Sequence, residues 1–135
     1  MLDTNIVSAL IRENSGPVAQ RIAAVGTGAI ATSAIVVSEL RYGYRKRGSD
    51  RLTGLVENAI ARIEVLSYDA DASDAYADIR HALEGNGRTI GPNDLFIAAH
   101  ARSLGLTLVT DNIREFSRVE GLKLENWIER EAPDV

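Results

Sequence analysis

Four acids stand where a parallel sheet would present them together: Asp3, Glu39, Asp94 and Asp111. Asp3 follows the apolar pair Met1-Leu2. Asp111 and Asn112 follow Thr107-Leu108-Val109-Thr110, Asp94 opens an apolar segment that runs to Leu104, and Glu39 is the sixth residue after Ser33. Two carboxylates ~4 Å apart repel by about 4 kcal/mol at an effective dielectric of ~20. Three or four in one cleft raise each other's pKa or demand a cation. The chain has no Cys and only two His, which argues against zinc. Oxygen-only ligands favour Mg²⁺, with Mn²⁺ as a substitute. A divalent-ion site at Asp3, Glu39 and Asp94 is the expectation.

Each acid also has a plainer reading. Asp3, Asp94 and Asp111 suit helix caps or first turns, where the helix dipole favours them by ~0.3–1 kcal/mol each. Glu39 borders the apolar stripe Val36, Leu40 and Tyr44, and a carboxylate at the edge of a buried face needs a partner. His100 falls inside the apolar segment with no second His at ligand spacing and reads as a packed structural residue; His81 reads as surface.

Beside Glu39 the chain turns basic. Arg41, Arg45, Lys46, Arg47 and Arg51 accompany Tyr42 and Tyr44. A solvated helix face accounts for such a run. A ridge that contacts nucleic-acid phosphates, with Tyr42 or Tyr44 stacking on bases, accounts for it equally. An acidic centre with a basic flank is what a metal-dependent nuclease requires.

The elements that must position these groups alternate along the chain. Met1-Leu2, Ala29–Ala31, Ile63–Leu66, Thr107–Thr110 and Leu122–Leu124 read as short strands. Helices are expected over Ile6–Glu13, from Pro17, over Ala34–Arg47 with Ser33 as N-cap, over Arg51–Ile60, over Ala70–Leu83, and over Asp94–Leu104. Strands separated by helices imply a parallel sheet. The expected fold is a three-layer α/β/α sandwich, with the ligand site beyond the carboxyl ends of the strands where the strand order reverses.

Composition sets the frame. The chain has 135 residues, 45% hydrophobic and 25% charged, which suits a single domain over 1–135. The net charge of −4 argues against a bulk cationic nucleic-acid binder but leaves room for a local basic patch. All but Lys46 and Lys123 of its 15 basic residues are arginine, the side chain suited to bidentate phosphate or carboxylate contacts. No apolar run approaches a membrane span and no signal peptide is visible. The lack of cysteine is consistent with a reducing cytoplasm.

Four segments carry a family likeness. Asp3-Thr4-Asn5, Ser38-Glu39-Leu40-x-x-Gly43, Ile90-Gly91-Pro92-Asn93-Asp94-x-x-Ile97-Ala98-Ala99-His100-Ala101, and Leu108-Val109-Thr110-Asp111-Asn112 followed by Arg114-Glu115-Phe116 resemble a PIN-domain ribonuclease of the VapC/FitB-like toxin group. The resemblance spans nearly the whole chain, in order and spacing. It implies an Mg²⁺-dependent endoribonuclease with an acidic tetrad, a homodimer, silenced by a cognate antitoxin. Transfer RNA anticodon loops and ribosomal RNA loops are the substrates it suggests. Asp3, Glu39 and Asp94 fall on the first three acids of the family pattern. The fourth position falls on Asn112, with Asp111 one residue earlier, so either Asp111 substitutes or three acids suffice.

On this reading water attacks a phosphodiester. Asp3 and Asp94 ligate metal, Glu39 binds it through water or acts as general base, and Asp111 and Asn112 complete the shell. Thr4, Asn5 and Thr110 orient groups by hydrogen bonding. Two other classes compete. Phosphoryl transfer to an aspartate lacks the second acid of a D-x-D pattern and a well-placed lysine. A binding module would use the acidic pocket to capture a partner's arginine.

Overall fold

One residue organises the sheet. Leu2, 1% exposed, bridges in parallel to Thr32 on one side and to Val109 on the other. Around it lie β1 (Ala31–Ser33), β2 (Glu64–Leu66), β3 (Leu108–Val109) and β4 (Leu124–Glu125). β1 pairs with β2 and β3 with β4, both in parallel, so the order across the sheet is β2-β1-Leu2-β3-β4. Leu2 N donates to Ala31 O at 2.8 Å, Asp3 N donates to Val109 O at 2.9 Å, and the Thr32 hydroxyl donates to Leu2 O at 2.7 Å. The computed structural model describes residues 1–128; the end of the expected 1–135 domain lies outside them.

Parallel strands need long crossovers, which helices supply. α1 (Thr4–Arg12) and α2 (Pro17–Val25) lead from Leu2 to β1. α3 (Ala34–Arg47) and α4 (Asp50–Ala61) lead to β2, α5 (Ala70–Gly85) and α6 (Pro92–Ser103) to β3, and the single turn α7 (Ile113–Phe116) to β4. α1 packs on α3 and α4, while α5 lies along α6. The result is the expected α/β/α sandwich. Among the described residues, no helix is long and apolar enough to cross a membrane.

Local signals set the helix ends. The Ser33 hydroxyl accepts from Ile35 N at 3.0 Å to open α3, and Gly48, at φ 63°, closes it in the left-handed region. Every expected strand shifts or shortens. The stretch 27–29 forms a 3₁₀ turn, so β1 is Ala31–Ser33 rather than 29–31; β2 and β3 cover 64–66 and 108–109 rather than 63–66 and 107–110; the last strand falls at 124–125 rather than 122–124; and Met1-Leu2 contributes the Leu2 bridges. α7 was not expected.

α6 is buried along Leu95, Ile97, Ala98, Ala99, His100 and Ala101. His100 Nδ1 lies 2.7 Å from the Ser33 hydroxyl, and its ring meets Tyr68 edge-on at 5.5 Å. It is the packed histidine that the sequence suggests, and burial lowers its pKa. Phe96 stacks on Tyr76 at 4.7 Å, tying α6 to α5. His81 is exposed on α5.

Candidate active site

The strand order reverses between Leu2 and β3, and the acids gather beyond the carboxyl ends of these two strands. Asp3 caps α1 and is only 4% exposed. Its Oδ1 accepts from Thr4 N and its Oδ2 from the Thr110 hydroxyl, both at 2.8 Å. Burial raises the Asp3 pKa; the charges of Glu39 and Asp111 push the same way, while the bonds from Thr110 and Thr4 oppose them. Cap and candidate ligand are therefore one residue. Thr4 also reaches Glu39, donating from its hydroxyl to Oε1 at 2.8 Å.

Asp94 lies in the first turn of α6. Burial, then the charges of Glu115, Asp3 and Glu39, push its pKa up to about 7. It shares a hydrogen bond with Glu115. Glu115, on α7, accepts from Gly91 N at 2.8 Å and from Asn112 Nδ2 at 2.6 Å. The Gly91 N–H, foremost, with the Asn112 and Asp94 bonds, holds its pKa down. Asp94 and Glu115 are thus shifted in opposite directions across their shared hydrogen bond. Gly91 carries no side chain where the two acids press close: a Cβ there would lie 3.4 Å from Asp94 Oδ2 and 3.8 Å from Glu115 Oε1.

Asp111 Oδ1 accepts from Asn5 Nδ2 at 3.1 Å, and its charge reaches Asp3. Asn112 N donates to the Thr110 hydroxyl at 3.0 Å while its side chain holds Glu115. The sequence reading offered Asp111 or Asn112 for the fourth acidic place; the structure sets Glu115 against Asp94, with Asn112 as its clamp. The signal was present in Arg114-Glu115-Phe116 and in the three-residue spacing from Asn112, which α7 turns onto one face. Among the described residues no three His, Cys, Asp or Glu side chains already close around a common point as a metal cage would.

The basic flank divides. Arg41 Nε donates to Glu57 Oε1 at 2.9 Å and Nη2 to Oε2 at 3.2 Å, across the α3–α4 contact. Its guanidinium is paired with Glu57 while the side chain stays about half exposed. Tyr44 is buried and gives its hydroxyl to the same Glu57 at 2.8 Å, with Arg45 5.3 Å over its ring. Of the two tyrosines, Tyr42, 65% exposed, is the one presented to solvent. Lys46, Arg47 and Arg51 are exposed beyond it.

Residues 1–122 match the family model for the PIN domain. The tRNA(fMet)-specific endonuclease VapC of Shigella flexneri is 42% identical over 128 residues, 94% of this chain and 96% of that protein. Ribonuclease VapC2 of Haemophilus influenzae is 40% identical over 129 residues, 95% and 97% of the two chains. Among solved structures, VapBC2 from Rickettsia felis bound to a DNA fragment from its promoter superposes with a TM-score of 0.88 at 36% identity, covering 95% of this chain and 98% of that one. DNA-bound VapBC from Salmonella typhimurium gives 0.88 at 39%, covering 95% and 97%. Reversed strand order, acids at the reversal point and likeness along nearly the full length agree: the chain belongs to the PIN domain family, among the VapC ribonucleases.

Proposed function

We propose that this chain is an Mg²⁺-dependent endoribonuclease, the toxin of a toxin–antitoxin pair acting in the cytoplasm. The observation that carries the reading is the set Asp3, Glu39, Asp94 and Glu115, brought together beyond the carboxyl ends of the central strands, with the Asp94 pKa raised to about 7. An acid whose pKa is raised by burial and by three neighbouring carboxylates is matched in kind to a divalent cation with oxygen ligands. Asp3 and Asp94 would hold the ion. Glu39 or Glu115 must turn from its present hydrogen bonds to join them, since no three of these groups are yet closed together. When bound, the ion supplies Lewis-acid activation of water and neutralises charge on the phosphate.

The protein's own groups do the rest. Glu39, steadied by Thr4, accepts the proton of the attacking water. Thr110 fixes the Asp3 carboxylate. Asn112 and Gly91 hold Glu115 against Asp94, and Asp111 orients Asn5. Arg45, Lys46, Arg47 and Arg51 are the phosphate contacts. Single-stranded loops suit such a site because their bases splay out. The relatives named as tRNA(fMet)-specific endonucleases put that tRNA first among candidate substrates.

The partner is a cognate antitoxin, as in the VapBC complexes. An arginine from it would bring positive charge and bidentate hydrogen bonds to the acids. A homodimer would join two short acidic grooves along one RNA path. The test is cleavage of tRNA(fMet) by the purified chain, lost in EDTA and in Asp3→Asn. Activity that persists in both would refute the metal-dependent mechanism.

A further inference from the structure

Gly43 lies inside α3, one turn after Glu39. Its backbone is not among the left-handed glycines, and a Cβ placed on it would meet nothing within 4 Å. A glycine in a helix interior weakens the helix relative to alanine. The fold therefore gains nothing from glycine at this position. What it leaves is room. Gly43 lines a cavity of about 270 Å³ between α1, α3 and α4. Leu40, Tyr44 and Val56 give this cavity an apolar wall, Thr4 and Glu39 join it to the acid cluster, and the exposed Arg12 and Arg47 also line it.

We propose that this cavity is a nucleobase subsite, taking one base of the RNA strand beside the phosphate being cut. The inference rests on the endoribonuclease reading and adds to it the place where sequence preference is set. The apolar wall buries the flat face of a base. Arg12 and Arg47 meet the flanking phosphates, and neither is ion-paired among the described residues. Continuity with Glu39 and Thr4 puts the base next to the reacting centre. Two arginines against the one carboxylate of Glu39 leave the lining net positive, so the charge pattern favours RNA over a cationic protein segment.

The test combines Gly43→Leu with single abasic substitutions, walked along the loop of an RNA hairpin that carries the tRNA(fMet) anticodon-loop sequence. Cleavage kinetics are read together with thermal melting. In the wild type, one abasic position beside the cut should lower kcat/KM at least tenfold. Gly43→Leu should melt no lower than wild type and lose tenfold on the intact hairpin, mainly through KM. It should show no further loss at that abasic position, since base and cavity act as one unit. Arg47→Gln gives an independent reading: KM should rise at least threefold, and an unchanged KM overturns the proposal even if Gly43→Leu fails to fold. An identical abasic profile in wild type and Gly43→Leu also overturns it. So does a Gly43→Leu chain that keeps its RNA kinetics but loses the antitoxin, which would assign the cavity to a protein. A wild type that cuts neither the hairpin nor tRNA(fMet) removes the parent reading and the subsite with it.

Discussion

The hydroxyl of Thr110 donates to Asp3 Oδ2 at 2.8 Å, joining the ends of two neighbouring strands across 107 positions of sequence. Both residues are buried. Hydrogen bonds to charged groups contribute about 1.5–3 kcal/mol. Thr110→Val keeps the shape and removes the donor. It should destabilise the fold by about that amount in urea unfolding and raise the Asp3 pKa further. A loss below ~0.5 kcal/mol would mean that water replaces the hydroxyl.

Asp94 makes metal-free stability depend on pH with a definite sign. Its pKa rises from 3.8 unfolded to about 7 folded, so the folded state binds more protons between these values. Its contribution is fully present below 3.8 and is lost as pH rises through about 7. In EDTA, wild type should therefore lose stability over this window relative to Asp94→Asn. Parallel curves for the two proteins would show that Asp94 carries no such proton.

His100 acts in the opposite sense. Burial lowers its pKa from 6.5, so the folded state binds fewer protons than the unfolded chain as pH falls below that value. Stability contributed by the neutral ring is present above 6.5 and drains away on acidification. His100→Asn should flatten the acid limb of the stability curve while lowering stability at pH 8 through lost packing against Tyr68 and Ser33. An unchanged acid limb would argue against the assignment.

Glu115→Gln tests the acid that sequence reasoning passed over. It removes the negative charge that, after burial, most raises Asp94. RNA cleavage should fall at least tenfold with the melting temperature little changed, and the Asp94 pKa should drop in metal-free protein. Wild-type cleavage rates would leave Glu115 as scaffolding only.

Replacing the cations separates engaged arginines from available ones. Arg45→Gln with Arg47→Gln should flatten the salt dependence of RNA binding, each lost phosphate contact removing about 0.7 from the slope on a single strand. Arg41→Gln should leave the slope unchanged, because its guanidinium already sits on Glu57. A slope that responds to Arg41 alone would reverse this assignment.

The fold was legible wherever a residue acts on its own neighbourhood. Ser33 as cap, the end of α3 at Arg47 and the apolar run of α6 are local features, and each appears where spacing put it. Asp3 and Asp94 stood out because strand ends and helix starts are local too, and Glu39 because it borders the apolar stripe of α3. The Arg41–Glu57 pair was hidden because it joins two helices, and its cost and benefit arise only on packing. Tyr44 looked available for the same reason, although packing buries it. Glu115 escaped because a helix of four residues has no periodicity to read. Its partners, Gly91 and Asp94, come from another crossover altogether.

The bridge made by Leu2 also fixes the order of assembly. Its pairing partners, Thr32 and Val109, lie 30 and 107 positions downstream, so the sheet closes only through contacts of long sequence separation, which form late and slowly. A ribosome making this chain releases Asp3 and Glu39 well before Asp94 and Glu115. The four acids become neighbours only when the segment that includes β3 and α7 has emerged and docked. A growing polypeptide therefore carries these four acids, still apart, past the RNA of the machine that makes it.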